Sequence, residues 1–297
     1  MKGINDRIAL VHSANHTEGV LKAINLLEIN PVKGKAVSLK PNFNTADAFP
    51  ASTHNDTLKT LINKLKELGA AKIVIAERSG PADTDEVLNQ KGIFEMSKEL
   101  DFEIINLEKV GPAGWTHIQP SGSHWSKGFR FARVYADAEC IVQTCCLKTH
   151  RYGGHFTISL KNSVGMVERS FMQELHRSPH QRQMIAEINT AYRPDLIIMD
   201  GIETFISGGP MEGVRATANV VLAGTDRVAV DVVGVAILRL LGTTPEVMKG
   251  TVFQQDQIAR AIELKIGIQS AADIDFVTEG AESKELAQKL MGIISKD

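Results

Sequence analysis

The feature that most constrains the fold of this chain is the alternation of short β-rich apolar runs with segments of helical periodicity. This alternation is typical of parallel strands joined by crossover helices. The clearest unit is an apolar run at 36–39, a predicted helix at 53–68 and a returning strand at 72–76. Thr53 with the acidic residue three positions later resembles a capping box, and Gly69 is the predicted left-handed residue after the helix. The sequence therefore predicts an α/β fold.

The same alternation continues to the end of the chain, which favours a mainly parallel sheet with crossover helices. Further strands are predicted at 8–12, 102–107, 140–146, 196–199, 219–223 and 274–277, and further helices at 226–241, 255–265 and 284–294. With 297 residues, the chain is long enough for one large unit or for two lobes that flank a cleft. We predict an N-terminal α/β lobe over 1–110, a long loop or lid over the Gly/Pro/Ser/His-rich segment 111–128, and a C-terminal α/β lobe over 129–297.

Composition and charge argue against several classes of partner. The chain is 43% hydrophobic and 23% charged with a net charge of -2, so it lacks the basic footprint of a nucleic-acid-binding protein. The charged residues Lys2, Asp6 and Arg7 interrupt the start of the chain, which is unlike a secretory leader. No apolar run reaches the roughly 20 residues that cross a bilayer. We therefore expect a cytoplasmic location with no nucleic-acid or membrane partner, and the oligomeric state stays open.

Polar clusters follow five of the predicted strands, and ligands of open α/β sheets bind beyond the carboxyl ends of the strands. The clusters are Lys40-Pro41-Asn42, Glu77-Arg78-Ser79-Gly80, Lys148-Thr149-His150, Asp200-Gly201 and Gly224-Thr225-Asp226. Lys40 and Lys148 each come directly after an apolar strand, so each ammonium should face a carboxylate or a bound anion. Asp200 as a turn residue and Asp226 as a helix N-cap are equally good interpretations.

The segment 148–165 is the richest in chemical groups, with two lysines, two histidines, an arginine and several glycines. Such a set can hold an anionic substrate, with His150 as acid or base and Lys161 as nucleophile or electrostatic stabiliser. The predicted catalytic residues are therefore His150 and Lys161. The predicted substrate-binding residues are Lys40, Asn42, Lys148, Thr149, Arg151, Asn162, Asp226 and Asp231.

A permanent metal ion is a less favoured interpretation of the histidines. His150 and His155 are five residues apart, which matches neither helical ligand spacing nor a zinc-finger spacing, and no carboxylate stands beside them. If a metal ion binds, the candidate ligands are His150, His155 and His176. The sequence leaves the cofactor unknown.

Asp231 lies within an almost wholly apolar helical segment at 228–238, which should be buried. An isolated ionised carboxylate in such a place costs several kcal/mol. Asp231 should therefore pair with a cation, cap backbone donors or face a pocket. A salt bridge is the favoured alternative, with Lys40 or Lys161 as the candidate partner.

Together these segments resemble the DUF362 family. The resemblance is carried by Lys40-Pro41-Asn42, Lys148-Thr149-His150, Leu160-Lys161-Asn162 through Gly165, Asp200-Gly201-Ile202, Gly209-Pro210 with Gly213, and Ala223-Gly224-Thr225-Asp226 through Asp231. Family members have no secure general activity, and many also carry a ferredoxin-like module with iron–sulfur clusters. The three cysteines of this chain, Cys140, Cys145 and Cys146, are too few to ligate one cubane cluster, so no iron–sulfur cluster is expected. Their apolar surroundings favour buried, inert thiols.

A histidine followed by a glycine-rich stretch and then a lysine is also similar to the pattern of nickel-pincer lactate racemases. In those enzymes a lysine tethers the cofactor, and histidines serve as ligand and as proton-transfer bases. The resemblance implies that His150 and Lys161 occupy the corresponding positions here.

The leading hypothesis from the sequence is an enzyme that acts on a small anionic, carboxylate-type substrate. The reaction would be a proton transfer or isomerisation assisted by lysine and histidine, of racemase or lyase type. The alternative is a non-catalytic carrier or maturation factor that binds a cofactor or metal ion and passes it to a partner protein.

Overall fold

A computed structural model of the chain describes residues 7–296. Residues 1–6 and 297 lie outside the described residues, and with them Lys2 and Asp6, on which the leader prediction rests. The strands are β1 (Arg7–His12), β2 (Ala36–Lys40), β3 (Lys72–Glu77), β4 (Glu103–Asn106), β5 (Trp115–Ile118), β6 (Phe129–Ala132), β7 (Cys140–His150), β8 (His155–Thr157), β9 (Leu196–Gly208), β10 (Gly213–Gly224) and β11 (Asp275–Thr278). The α-helices are α1 (His16–Leu27), α2 (Asn55–Glu67), α3 (Thr84–Gln90), α4 (Ile93–Leu100), α5 (Arg133–Ala136), α6 (Ser159–Asn162), α7 (Met172–Arg177), α8 (Gln181–Ile188), α9 (Arg227–Leu240), α10 (Pro245–Met248), α11 (Asp256–Glu263) and α12 (Ala281–Ile294).

One large sheet runs through the molecule in the order β11-β1-β10-β9-β7-β2-β3-β4, and β8 adds to the far end of β7. The pairs β11–β1, β9–β7, β7–β2, β2–β3 and β3–β4 are parallel, whereas β1–β10, β10–β9 and β7–β8 are antiparallel. The predicted α/β class with a mainly parallel sheet is therefore confirmed.

Strands from both predicted lobes share this sheet, because β2 pairs with β7 and β1 pairs with β10. The segment 111–128, predicted as a loop or lid, contains β5, which pairs with β6 in a separate two-stranded sheet. The division of the chain into two lobes stays a prediction.

The start of α2 differs in detail from the predicted capping box. The N-cap is His54, whose Nδ1 accepts a hydrogen bond from the Asp56 N–H at 3.2 Å. Thr53 instead uses its Oγ1 to accept from the Asn42 N–H at 2.8 Å, and its own N–H donates to the Asn42 carbonyl at 3.0 Å. Gly69 has the predicted left-handed conformation, with φ +87. Thr53 therefore fixes the loop after β2 rather than the first turn of α2.

The sheet is covered by helices on both faces, which gives the strands their continuous apolar sequences. One face packs against α9 and α12, with residues 228–238 of α9 buried all round as predicted, and the other packs against α1, α2 and α4. A third core cluster contains the aromatic residues Trp115, Trp125, Phe129 and Phe131 beneath the small sheet. Full burial of a valine, leucine, isoleucine, phenylalanine or methionine side chain contributes roughly 1.5–3 kcal/mol to the free energy of folding. These core clusters therefore hold the strand ends in fixed positions.

The three cysteines are buried, as predicted. Burial raises the pKa of Cys140 to about 12 and that of Cys146 to about 11, and it raises the pKa of Cys145 well above the ordinary thiol value. The reactive thiolate form is therefore disfavoured at each of them.

Within residues 7–296, no helix combines the length and the apolar character that crossing a membrane requires.

Candidate functional site

A cavity of about 960 Å³ opens at the carboxyl ends of β2, β3 and β7. These three strands are parallel neighbours, so the residues that follow them meet at one edge of the sheet. Six of the residues predicted for substrate binding or catalysis line this cavity: Lys40, Asn42, Lys148, His150, Lys161 and Asn162. The sheet thus brings together residues that are more than 100 positions apart in the sequence.

Lys40, at the end of β2, is buried and faces a buried carboxylate. Its Nζ lies 2.7 and 2.8 Å from the two carboxylate oxygens of Glu77 at the end of β3, and it also donates to the Pro41 carbonyl at 2.6 Å. Burial lowers the pKa of Lys40 and raises that of Glu77, and the ion pair acts in the opposite direction on both groups. A Cβ on Gly165 would lie 2.9 Å from the Lys40 Nζ, so only glycine lets the backbone approach the pair this closely.

Lys148, near the end of β7, is fully buried without a carboxylate partner among residues 7–296. Its Nζ donates to Asn42 Oδ1 at 2.7 Å, to the Pro50 carbonyl at 3.3 Å and to the Ala51 carbonyl. Burial is the main cause that lowers the pKa of Lys148. In its ammonium form, Lys148 is therefore solvated by neutral dipoles rather than by a carboxylate among these residues.

Lys161 is carried by the short helix α6, whose first two residues are held by side-chain hydrogen bonds. Asp231 accepts hydrogen bonds from the Ser159 N–H at 2.7 Å and the Leu160 N–H at 3.2 Å, and Asn189 Nδ2 donates to the Leu160 carbonyl at 3.0 Å. Asp231 is 0% exposed, and burial raises its pKa well above the ordinary value. The predicted salt bridge between Asp231 and a lysine is therefore corrected: the carboxyl group satisfies backbone donors, and Asp231 lies behind α6 rather than in the cavity.

The Lys161 ammonium forms no hydrogen bond or ion pair among the described residues. Burial lowers its pKa to about 7, and the positive charges of Lys148 and Arg78 act in the same direction. No carboxylate in the described part of the chain opposes this shift. A large share of the Lys161 side chains is therefore neutral amine near pH 7.

His150, the last residue of β7, lies beside Lys161. The position that a Cβ on Gly154 would take is 2.9 Å from Lys161 Cε and 3.0 Å from His150 Nδ1, so both side chains converge on the Gly154 backbone. The His150 Nδ1 is buried without a hydrogen-bond partner in residues 7–296. Burial strongly lowers the pKa of His150, and the charges of Lys161 and Lys148 lower it further, so His150 is a neutral imidazole at pH 7.

The remaining predicted binding residues do not line the cavity. Thr149 Oγ1 donates to the Phe205 carbonyl at 3.1 Å, because alternate residues of β7 point to opposite faces. Arg151 is exposed and pairs with Glu212 at 3.1 Å. Asp226 caps α9 by accepting from two backbone N–H groups, and it lines a separate cavity of about 480 Å³. The predicted wall of Lys40 and Asn42 with Asp226 or Asp231 is corrected accordingly.

Of the three histidines predicted as metal ligands, two lie at the cavity. His176 lines it together with His150, and its Nδ1–H donates to the Met172 carbonyl at 2.6 Å. His155 lies outside the lining residues, near Arg182 and Asp256. Within residues 7–296, no three side chains from His, Cys, Asp and Glu are grouped so that they could hold a metal ion.

Most cavity residues from the segment opposite the strand ends escaped the sequence interpretation, which named only His176 there, as a candidate metal ligand. Arg169, Met172 and His176 line the cavity together with Gln181 and Arg182. The first three are spaced by three and four positions, which places them on one helical face. That spacing was the available signal, although the segment is too short and too polar to predict as a helix.

Three cations of the cavity have carboxylate partners, and three have none in the part of the chain that the structure describes. Lys40 pairs with Glu77, Arg169 with Glu108 at 2.5 Å, and Arg182 with Asp256 at 2.6 Å. Lys148 and Lys161 lack such partners, and Arg78 donates to the carbonyls of Val164, Val167 and Ser79. Because Lys161 is largely neutral near pH 7, the positive charge without a carboxylate partner in the described residues comes from Arg78 and from Lys148 in its ammonium form, and it favours an anionic ligand.

Comparison with known proteins relates the chain to one family. Residues 37–236 match the family model described as "Domain of unknown function (DUF362)". A thylakoid-associated protein from Synechocystis sp. is 24% identical over 248 residues, which cover 78% of this chain and 74% of that protein. Among solved structures, the lactate racemase apoprotein from Thermoanaerobacterium thermosaccharolyticum aligns with a TM-score of 0.49 and 15% identity, over 73% of this chain and 54% of that chain. This chain thus spans about half of the racemase's length.

Proposed function

The chain belongs to the DUF362 family, and from that premise we propose that it is an enzyme that moves a proton on a small anionic, carboxylate-type substrate. The observation that carries the proposal is the convergence of Lys161 and His150 on the Gly154 backbone inside a cavity lined by basic side chains. Lys161 has no partner among residues 7–296, its pKa is lowered to about 7, and it lies against a buried, neutral imidazole.

Lys161 is the proton-transfer group in this proposal. A base works best when its pKa is close to the working pH, and a lysine amine reaches that range only when burial and neighbouring cations destabilise the ammonium form. The neutral amine removes a proton from the carbon next to the carboxylate or carbonyl, and the resulting ammonium returns a proton to the same or a neighbouring atom. The net result is an isomerisation or a proton exchange.

Lys148 and His150 have supporting roles. When the carbon loses its proton, the electron pair moves onto the oxygens of the substrate, and the fixed positive charge of Lys148 stabilises that oxyanion. The strongly lowered pKa of His150 makes it a poor base, so we assign it hydrogen bonding to the substrate through its unpartnered Nδ1 rather than proton abstraction. This refines the roles predicted from the sequence.

Deuterium exchange at the carbon next to the carboxylate tests the proposal across a whole class of substrates. The protein is incubated in D₂O with a panel of 2-hydroxy, 2-oxo and 2-amino carboxylates, and proton NMR follows the signal of the hydrogen on that carbon or its neighbour. We expect at least one acid to lose this signal. Lys161→Met keeps the length of the side chain but removes the amine, and it should slow exchange by about 1,000-fold.

The control is Lys127→Met, which makes the same substitution at an exposed lysine outside the cavity lining. This variant should exchange at the wild-type rate. Exchange that persists in Lys161→Met would exclude Lys161 as the base, and no exchange with any acid of the panel would contradict the enzymatic proposal.

A second candidate function is a carrier that binds a cofactor or a metal ion and passes it on. The unpartnered Nδ1 of His150 beside Lys161 favours it, because a free imidazole nitrogen and a nucleophilic amine fit a coordinated, covalently tethered group. Such a group would supply a metal centre next to the substrate site. Native mass spectrometry with elemental analysis of the purified protein distinguishes the two functions, because a carrier shows a bound species in stoichiometric amount, whereas metal-free protein that still catalyses exchange excludes it.

A further inference from the structure

Four buried polar atoms without a hydrogen-bond partner in residues 7–296 belong to residues that line the large cavity. They are His150 Nδ1, Thr157 Oγ1, Asn162 Oδ1 and Gln181 Nε2. Each of these residues is more than nine-tenths buried, with exposed fractions of 7%, 5%, 4% and 5%. Because an unsatisfied buried polar atom costs about 1–3 kcal/mol, native proteins keep few of them. Their concentration around one cavity indicates a ligand with several polar groups.

The hydrogen-bonding character of these atoms describes that ligand further. Asn162 Nδ2 lies 3.3 Å from the Thr144 carbonyl and 3.4 Å from the Lys40 carbonyl, so its Oδ1 is left to accept from a donor. Gln181 Nε2 requires an acceptor, and the Thr157 hydroxyl can donate and accept. A hydroxyl group is the simplest group that satisfies all three, because it donates and accepts at once.

The position of Thr157 places hydroxyl recognition next to the site of positive charge. Thr157 in β8 lies directly opposite Lys148 in β7, and side chains at opposed positions of an antiparallel pair point to the same face. A ligand whose anionic end lies at Lys148 therefore has its neighbouring atoms within reach of Thr157.

The size of the cavity exceeds what a minimal carboxylate fills. Its volume of about 960 Å³ lies near the upper end of the usual range for small-molecule sites, and it equals the liquid volume of about 30 water molecules. A chain of several hydroxylated carbons uses this space and offers hydroxyl groups to the polar residues that line it.

We infer that the substrate is a polyhydroxylated carboxylate of the sugar-acid class, with its carboxylate at Lys148, the adjoining carbon at Lys161 and its hydroxyl groups bonded to Thr157, Asn162 and Gln181. The inference rests on the proposed function for the anionic end of the ligand. The new part of the inference is that the rest of the substrate is a chain of hydroxylated carbons.

Calorimetric titration with molecules of matched length separates charge from hydroxyl groups. The probes are three six-carbon aldonates (D-gluconate, D-galactonate and D-mannonate), hexanoate, which has the same charge and no hydroxyl groups, and sorbitol, which has the hydroxyl groups and no charge. At least one aldonate should bind at least ten-fold more tightly than hexanoate and sorbitol. If no aldonate binds more tightly than hexanoate, the sugar-acid inference is overturned.

A matched pair of variants tests the role of Thr157. Thr157→Val removes a hydroxyl that has no partner among the described residues, so the fold should be unaffected, and the affinity for the aldonate should fall about five-fold while hexanoate affinity is unchanged. Thr144→Val removes another buried, unpartnered hydroxyl that lies outside the cavity lining, and it should leave both affinities unchanged. Equal aldonate affinities of wild type and Thr157→Val would overturn the inference.

The two proposals fail in different ways. If deuterium exchange occurs on a simple carboxylate while aldonates have no advantage, only the sugar-acid class is wrong. If no carboxylate binds and none exchanges, the enzymatic proposal itself is wrong.

Discussion

The two sides of the cavity differ in whether a lysine has a carboxylate partner. On the β2–β3 side, Lys40 has a carboxylate at 2.7 Å, and Glu77 also accepts from backbone N–H groups. On the β7–α6 side, Lys148 lies among neutral dipoles and Lys161 has no partner among the described residues. The first side is neutralised within the protein, whereas the second has no carboxylate partner among the described residues.

Because of this difference, we expect Lys40 to contribute mainly to stability and Lys161 mainly to function. A buried ion pair with additional hydrogen bonds is costly to break, because the remaining charge is left in a low-dielectric environment. Lys161 is only partly shielded from solvent and has no ion pair among the described residues, so its removal should cost little stability. Residues with a perturbed pKa that add little to stability are often found at functional sites.

The largest expected effect is on stability, at the neutralised side of the cavity. Glu77→Gln removes the charge that neutralises Lys40 while keeping the size of the side chain, and it should lower the free energy of unfolding by about 3 kcal/mol. Chemical denaturation of wild type and variant measures this difference. In the same experiment Lys161→Met should be at least as stable as wild type at pH 7.

The double variant Lys40→Met with Glu77→Gln is the control for this prediction. Because it removes both charges, it should recover much of the lost stability. A Lys161→Met variant that is destabilised as strongly as Glu77→Gln would break the comparison, since it would mean that Lys161 also has a structural partner.

The next effect is the pH dependence of the exchange reaction, which sharpens the functional side of the comparison. The pKa of Lys161 is lowered to about 7, so below this pH the ammonium form dominates and the base is lost. We expect kcat/KM to fall about ten-fold for each pH unit below about 6 and to reach a plateau above about 8. NMR exchange rates measured between these limits provide the profile.

A profile of the opposite sign has a distinct meaning. If Lys161 only holds the substrate carboxylate as an ammonium, affinity and kcat/KM decrease as the pH rises through about 7. The pKa of His150 is lowered too far for this residue to titrate in the neutral range, so His150 does not cause the transition.

Much of the fold could be predicted from the sequence, because strands with both faces covered have continuous apolar sequences. The predicted strand at 36–39 became β2 at Ala36–Lys40, and the predicted strand at 72–76 became β3 at Lys72–Glu77. The lengths of the longer strands were underestimated: the strand predicted at 196–199 is β9, which continues to Gly208 beyond its apolar first half. Its second half forms a hairpin with β10, where exposed positions break the apolar pattern.

The convergence of the site was predictable only in part. Lys40 and Lys148 follow parallel strands, and the carboxyl-end rule places them together. The partner of Lys40 could not be chosen from the sequence, because Glu77 and Asp226 both lie at strand ends, Asp231 lies in a buried helix, and only the tertiary fold decides which of them is nearby. Asp231 was expected to be costly when buried, but its use as a cap for α6 depends on a contact between segments about 70 residues apart.

The smallest expected effect concerns Asp226, which the sequence grouped with the binding residues. Its Oδ1 accepts from Val228 and Ala229 at the start of α9, and its Oδ2 accepts from the Ile268 N–H at 2.7 Å. Asp226→Ala should therefore lower the free energy of unfolding by about 1 kcal/mol, as expected for the loss of an N-cap. Because Asp226 lies outside the large cavity, carboxylate affinity measured by calorimetry should stay at the wild-type value. A loss of affinity without a loss of stability would place Asp226 among the ligand-binding groups, and it would extend the functional side of the cavity toward α9.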